Sequence, residues 1–124
     1  MNTIEINACL RKIKHFVGTY PCNFIPSDFE TPASFVVNTS PWLDNKTGVQ
    51  GSHWVAIYLP ENTKAVYFDS FGLPPLQTDI VKFLETICNK GFKYNTQSLQ
   101  DPASGVCGVY CIDFLHHVTN NKGL

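Results

Sequence analysis

The sequence is poor in charge and shows no targeting or membrane-spanning signal. Only 15% of its 124 residues are charged and the formal net charge is −1, so the chain as a whole has no basic field that would attract nucleic acid or an anionic membrane. It has no apolar run long enough to span a bilayer, and its first residues lack the apolar core of a signal peptide. We therefore expect no membrane association, no nucleic-acid partner recruited by net charge, and action inside a cell or a particle.

The cysteine pattern lacks the pairs on which disulfide and zinc scaffolds are built. Five cysteines are present, at positions 9, 22, 88, 107 and 111, without a C-x-x-C pair. An odd number leaves at least one free thiol, which fits a reducing compartment. Cys107, Cys111, His116 and His117 are near one another in sequence. At about 100° per residue, however, His116 points away from Cys107 on one helix, so we expect no metal site.

What is present is an ordinary globular composition, with 44% hydrophobic and 13% aromatic residues. A chain of this length fits one domain, residues 1–124, and can bury a core without disulfides. Asn2 and Glu5 predict a capping box at the start of a first helix. Apolar residues at helical spacing predict three helices: Ile6, Leu10, Ile13 and Val17, ending at Gly18; Ile80, Phe83, Leu84 and Ile87, ending at Gly91; and, from a start near Cys107, Cys111, Phe114, Leu115 and Val118.

Short runs of β-branched and aromatic residues predict the strands, which are residues 34–38, a hairpin of residues 53–59 and 64–69, and residues 92–99. Proline and polar residues dominate residues 19–32 and 41–51, which we predict to be loops. The pattern favours an antiparallel sheet flanked by helices, an α+β fold.

Cys107 is placed for thiol chemistry. Such chemistry needs a thiolate, and a free cysteine has a pKa of about 8.5, so its surroundings must lower that pKa. Residues 101–105 cannot easily be helical, and the predicted helix begins at Cys107, so the helix dipole favours the thiolate. The free N–H groups at this helix start could also hold an oxyanion, and Gly108 leaves room for a substrate backbone.

His53 and Asp69 are predicted to meet at one end of the sheet. His53 opens the first strand of the hairpin and Asp69 closes the second, so the carboxylate can orient the imidazole toward the thiol. Gln100 ends the strand before the cysteine loop, and its amide could donate to a developing oxyanion. Trp54 follows the histidine and could shield the site from water.

Three segments together resemble the adenovirus maturation proteases, the adenain family: Gly51–Trp54, Tyr67–Gly72 and Gln97–Cys111, in the family's order. The specific details are a His followed directly by Trp, an acidic residue just before an aromatic-Gly pair, and a Gln seven positions before Cys-Gly. Proteases of Maverick/Polinton transposons and of virophages look similar. The wider group includes SUMO proteases and other proteases of ubiquitin-like proteins.

The resemblance implies a role for each site residue. His53 would be the general base, Asp69 its orienting partner and Cys107 the nucleophile, with the Gln100 side chain and the Cys107 N–H forming the oxyanion hole. The implied fold is the α+β cysteine-protease fold, in which a mixed, mostly antiparallel sheet packs on a central helix that carries the nucleophile. Adenovirus enzymes are stimulated by a viral peptide and by DNA, but nothing in this sequence requires a cofactor, and we expect a monomer.

The sequence departs from the family in a few places. Asp69 stands where adenovirus enzymes have Glu and SUMO proteases have Asp. Val106 stands where SUMO proteases usually have Asp, and those proteases space their Gln one residue closer to the cysteine, so the balance favours adenain. Adenovirus enzymes also continue well past the nucleophile helix, so we expect a compact or C-terminally truncated domain and assign no groove for an activating peptide.

Three functions remain open on the sequence. The first is a cysteine endopeptidase that matures capsid or other structural precursors of a virus or transposon, in the host nucleus or cytoplasm or in the virion. The second is a protease that removes SUMO-like or ubiquitin-like tags. The third is a weakly active module that keeps the fold and binds a peptide.

Overall fold

The computed structural model describes residues 2–40, 53–61, 63–87, 91–98 and 107–120. In chain order, its elements are α1 (Thr3–Leu10), β1 (Phe16–Pro21), a 3₁₀ turn (Cys22–Phe24), β2 (Ala33–Asn38), β3 (Trp54–Leu59), β4 (Ala65–Phe68), α2 (Thr78–Ile87), β5 (Phe92–Tyr94) and α3 (Cys107–Asn120). The prediction of an α+β fold is confirmed.

The five strands form one sheet in the order β1-β2-β3-β4-β5. The two central pairings, β2 with β3 and β3 with β4, are antiparallel. The two outer pairings, β1 with β2 and β4 with β5, are parallel. The sheet is therefore evenly mixed. The predicted sheet is mostly antiparallel, because the sequence analysis does not identify β1 and assigns no direction to β5.

The first predicted helix is wrong beyond Leu10. Its start is confirmed, because the Asn2 side chain and the Glu5 side chain each bond the other's main-chain N–H at 2.9 Å. The chain then turns, with His15 at a φ of +69°, and Val17 lies in β1 instead of on a helix face. The apolar residues keep a helical spacing past the end of α1, but the pairing of β1 with β2 determines the conformation there. The predicted loop 19–32 accordingly begins with the last residues of a strand.

Both faces of the sheet are covered, which explains why all six residues of β2 are buried. On one face, α2 packs through Ile80, Phe83 and Leu84 onto strand residues such as Phe35 and Val55. On the other face, α1 and α3 contribute a second cluster, which contains Ile6, Leu10, Val36, Trp54, Ala56, Phe68, Cys107, Cys111, Leu115 and Val118. The start of α3 is thereby fixed against β3. No helix in the described ranges is long and apolar enough to cross a membrane.

The last predicted strand is shorter than expected. The sequence predicts a strand over residues 92–99, whereas the strand in the structure ends at Tyr94. Asn95 interrupts it, because its side-chain amide bonds the main chain of Asp69 on the neighbouring chain segment. Three predicted features lie outside the described part of the chain: the loop 41–51, the end of the second helix at residues 88–90, and residue 99 of the last strand.

Candidate active site

His53 and Asp69 meet at one edge of the sheet. His53 directly precedes β3 and Asp69 directly follows β4, and the two strands run antiparallel. Nε2 of His53 lies 2.8 Å from Oδ1 of Asp69. Asp69 is 4% exposed, so little water competes for this hydrogen bond. The predicted pairing of these two residues is present in the structure.

Cys107 is the first residue of α3, as the sequence predicts. Since α3 packs on β3, the thiol sulfur reaches the beginning of that strand. The main-chain N–H of Trp54 donates to Sγ of Cys107 at 3.3 Å, and His53 lies close enough to the sulfur for the two side chains to shift each other's pKa through hydrogen bonding and charge. The structure thus brings Cys107, His53 and Asp69 into one connected group.

The surroundings of Cys107 favour its thiolate. Burial alone would raise the pKa of the thiol, but it is outweighed by the hydrogen bond from His53, the N–H of Trp54, the charge of His53 and the N–H of Gly108. The pKa of Cys107 is consequently lowered from its ordinary value. The main-chain N–H groups of Trp54, on β3, and Gly108, on α3, therefore both contribute to the lowered pKa of the sulfur.

The surroundings of His53 favour its protonated form. Burial acts against the charge, but the hydrogen bonds to Asp69 and Cys107, together with their negative charges, raise the pKa of His53 to about 9. The lowered pKa of the thiol and the raised pKa of the imidazole both favour the charged thiolate–imidazolium pair over the neutral pair. This is the state in which a cysteine nucleophile is ready to react.

Asp69 is held by a tight turn. Its Oδ1, which accepts from His53, also accepts the main-chain N–H of Phe71 at 2.8 Å. Its carbonyl oxygen accepts the N–H of Gly72 at 2.8 Å. The ring of Phe71 stacks on the imidazole of His53, with centroids 4.5 Å apart. The turn therefore fixes both the carboxylate and one face of the histidine ring.

Sequence reasoning assigns no role to Phe71 or Asn95. Phe71 stands two residues after Asp69 in the motif that carries the resemblance, which is a signal, but the motif does not indicate that its ring lies on His53. Asn95 falls inside a predicted strand, where an amide side chain suggests nothing beyond an exposed position. Only the folded chain shows that it bonds Asp69.

The remaining predicted site residues have different outcomes. Gln100 lies outside the described residues, so its oxyanion role stays a prediction. Trp54 is 8% exposed and packs within the cluster beneath α3, while its main chain bonds the thiol. Gly108 is buried, and its N–H contributes to the lowered pKa of Cys107. The roles of both residues in substrate binding also stay predictions.

The cysteine and histidine residues that were considered as metal ligands do not lie together. Cys111 is fully buried in the core, whereas His116 and His117 are exposed on α3. Burial raises the pKa of Cys111 well above its ordinary value, so its sulfur stays a thiol. Within the ranges that the structure describes, no three His, Cys, Asp or Glu residues are grouped as metal ligands.

Sequence comparison identifies viral proteases as homologues. The protease of ovine adenovirus D serotype 7 is 30% identical over 82% of this chain and 55% of its own length. The protease of human adenovirus B serotype 3 is 29% identical over 90% of this chain and 59% of its own. A protein of Acanthamoeba polyphaga mimivirus, named as a thiol protease, is 36% identical over 57% of this chain and 26% of its own. No family model matches the chain.

These homologues confirm the resemblance to the adenovirus proteases that the sequence motifs indicate. The adenovirus homologues are named as proteases and the mimivirus homologue as a thiol protease. The chain spans a little more than half the length of the adenovirus relatives that it matches.

Proposed function

We propose that this chain is a cysteine endopeptidase in which Cys107 is the nucleophile, His53 the general acid and base, and Asp69 the residue that orients His53. One observation carries the proposal: the sulfur, the imidazole and the carboxylate form one connected group in which the thiol pKa is lowered and the pKa of His53 is raised to about 9. A cysteine that served only as a buried apolar residue would have a raised pKa, as Cys111 has.

The proposed reaction begins with attack of the Cys107 thiolate on a peptide carbonyl carbon, which forms a carbon–sulfur bond and places a negative charge on the carbonyl oxygen. The N–H of Cys107, at the start of α3, has no partner within its own helix and is suited to stabilise that oxygen. The Gln100 side chain would be the second donor. The imidazolium of His53 then protonates the amine as the carbon–nitrogen bond breaks.

Deacylation reverses these roles. His53, now neutral, removes a proton from a water molecule that attacks the thioester carbon, and the carbon–sulfur bond breaks to release the acid. The proton on His53 and the thiolate of Cys107 restore the starting pair, so protons and charges balance over the cycle. Throughout, the hydrogen bond from Nε2 of His53 to Asp69 holds the ring in the orientation that both steps use.

The proposed substrates are structural precursor proteins of a virus or of a related transposon, cut during maturation. The homologues that support this are proteases encoded by viruses. The proposed place of action is the infected cell or the virion. The proposed mechanism uses no cofactor, and an activating peptide or DNA would act by improving the alignment of the catalytic residues.

The test compares the chain with its Cys107→Ala variant on a quenched-fluorescent peptide library. We expect the variant to lose at least about a thousandfold in kcat/KM, because the nucleophile is gone. Cys9→Ala is the matched control, since Cys9 is an exposed thiol on α1, and it should retain full activity. Equal cleavage by the wild type and Cys107→Ala would refute the proposal.

A second measurement distinguishes the type of substrate. Vinyl-sulfone derivatives of SUMO and ubiquitin would form a specific adduct at Cys107 if tag removal were the function. We expect no such adduct, together with cleavage of a capsid precursor. A rapid adduct without precursor cleavage would favour the proteases of ubiquitin-like proteins instead.

A further inference from the structure

The side chain of Asn95 pairs with both main-chain groups of Asp69. Its Oδ1 accepts the N–H of Asp69 at 3.0 Å. Its Nδ2 donates to the carbonyl oxygen of Asp69 at 2.6 Å. Each of these groups would bond a strand neighbour if the sheet continued, because the parallel pairing of β4 and β5 ends with Tyr67 opposite Tyr94. The amide of Asn95 therefore replaces the next pair of ladder hydrogen bonds.

Only a side-chain amide of this length carries a donor and an acceptor in that arrangement. An aspartate at position 95 would keep the shape but would place an oxygen against the carbonyl oxygen of Asp69, where no donor remains. An alanine would leave the N–H of Asp69 without the partner it has in Asn95, and would leave its carbonyl oxygen with the N–H of Gly72 alone. The contact thus depends on the amide chemistry of Asn95 and not on its size.

The same amide also holds the segment that follows β5. Nδ2 of Asn95 donates to the carbonyl oxygen of Gln97 at 3.2 Å, so one group links the turn at Asp69 to residues 95–97. The turn and this segment are in close contact, because a Cβ on Gly72 would lie 2.8 Å from the carbonyl carbon of Gln97. Gln97 precedes Gln100, the proposed oxyanion donor, by three positions.

A continuous series of contacts therefore runs from Asn95 to the nucleophile. Asn95 fixes the main chain of Asp69, the Asp69 carboxylate bonds His53 at 2.8 Å, and His53 interacts with Cys107 closely enough to lower its pKa. Asn95 itself does not touch the sulfur or the imidazole in any described contact. Its effect on chemistry would pass through the position of Asp69.

We propose that Asn95 is a positioning residue, which locks the backbone of Asp69 so that its carboxylate holds His53 in line with Cys107. The inferred effect of Asn95 on catalysis rests on the proposed function. Loss of the lock would let the carboxylate move away from the imidazole. The imidazolium would then be less stabilised, and the thiolate that depends on it would be less stabilised too.

The experiment uses the full chain with the variants Asn95→Ala and Asn95→Asp. Asn2→Ala is the matched control, because it removes the same side chain from an exposed, hydrogen-bonded position at the start of α1, in a capping box that contains none of the catalytic residues. Two properties are measured for each protein: the pH dependence of Cys107 alkylation by iodoacetamide, read by peptide mass spectrometry, and the pH dependence of kcat/KM on a cleaved peptide.

For Asn95→Ala we expect a fall in kcat/KM of about 10- to 100-fold, the size that misplacement of a catalytic group produces. The acid-side midpoint of Cys107 alkylation should move up, and the alkaline limb of kcat/KM should move down, each by about one pH unit. Asn95→Asp should show the same shifts. Asn2→Ala should lower the melting temperature while leaving both midpoints in place.

Two outcomes would overturn the inference. The first is that folded Asn95→Ala has the same alkylation midpoint and the same kcat/KM as the wild type. The second is that activity falls only in proportion to the fraction of folded protein, while the midpoints of alkylation and of kcat/KM stay as in the wild type. Asn95 would then be a structural residue only. If Asn95→Ala does not fold, the isosteric Asn95→Asp decides between these results.

Failure of the proposed function would look different. If the wild type cleaved no peptide, the endopeptidase proposal would fail, but the alkylation midpoints of the wild type and Asn95→Ala would still be compared. A shifted midpoint would then support the positioning role of Asn95 toward the Cys107–His53 pair, and an unshifted midpoint would refute it.

Discussion

The imidazole of His53 stacks on the ring of Phe71, with the ring centroids 4.5 Å apart and the planes 11° from parallel. The same residue, Phe71, donates its main-chain N–H to the Asp69 oxygen that bonds His53. One residue thus supports the histidine twice, through its ring and through its partner carboxylate. Because Nε2 is engaged by Asp69, the stacked ring is left to present its other nitrogen to Cys107.

The stacking contact can be tested separately from the N–H. Phe71→Ala removes the ring but keeps the main-chain donor, so the bond to Asp69 should persist. We expect kcat to fall roughly five- to tenfold, which corresponds to the loss of an aromatic contact of about 1 kcal/mol. Phe71→Tyr, which keeps the ring, is the control. An unchanged kcat in Phe71→Ala would show that the stack does not orient His53.

Cys107 should react as a thiolate at a lower pH than an ordinary thiol does. Its pKa is lowered from the usual value in the folded chain and returns to that value on unfolding. We therefore expect iodoacetamide to alkylate Cys107 at pH 7 about tenfold or more faster in the native protein than in the urea-unfolded protein. Equal rates in the two states would contradict a preformed thiolate–imidazolium pair.

Peptide cleavage should decline on the alkaline side at the pKa of His53. That pKa is raised to about 9, and the imidazolium is the acid that protonates the leaving amine. Activity should therefore persist through pH 8 and fall as the pH passes about 9, while alkylation of Cys107 continues, since the thiolate remains. A fall in kcat/KM centred near pH 6.5, the ordinary histidine value, would contradict this.

Asp69→Asn should reduce kcat/KM by on the order of a hundredfold or more. The amide removes the negative charge that raises the pKa of His53, and it can hold the ring in the wrong tautomer. The matched control is Asp79→Asn, because Asp79 lies on α2, which packs on the opposite face of the sheet. Steady-state kinetics should show normal kcat/KM for that control. A similar loss of kcat/KM in both variants would indicate a general effect of charge.

Gly72→Ala should disturb both stability and activity. Gly72 has a φ of +75°, and an added Cβ would approach main-chain atoms of residues 96–98 within 2.9 Å. Gly91→Ala is the control, since Gly91 has a φ of +85° with no atom within 4 Å of its Cβ position. Both variants bear the cost of about 1 kcal/mol for a left-handed residue. Only Gly72→Ala should lose further stability in urea melts and also lose kcat, and equal behaviour of the two variants would contradict the close contact.

Local sequence signals predicted much of the fold. The capping box of α1, the hairpin that becomes β3 and β4, the buried face of α2 and the start of α3 at Cys107 are all present. Each of these depends on residues that are close together in the chain. Such signals are strong when the local pattern and the tertiary environment agree.

The errors arise where distant segments decide the conformation. The sequence predicts a helix over the first half of β1 and a loop over the second half, because Ile13 and Val17 continue a helical spacing, yet these two residues pack on opposite faces of the sheet. β5 was predicted to be longer because the alternation continues past Tyr94, where the Asn95 amide instead bonds Asp69. In both cases a long-range backbone partner outweighs a short apolar pattern.

The sequence by itself determined which groups are available for chemistry and their order: His53 before β3, Asp69 after β4 and Cys107 at the start of α3. Only the tertiary structure decided that Cys107 favours its thiolate. Burial alone would keep the sulfur neutral, as it does for Cys111 one helical turn away. The opposite result at Cys107 requires the Trp54 N–H at 3.3 Å and the charge of His53, and both come from a strand edge that folding alone brings to the helix.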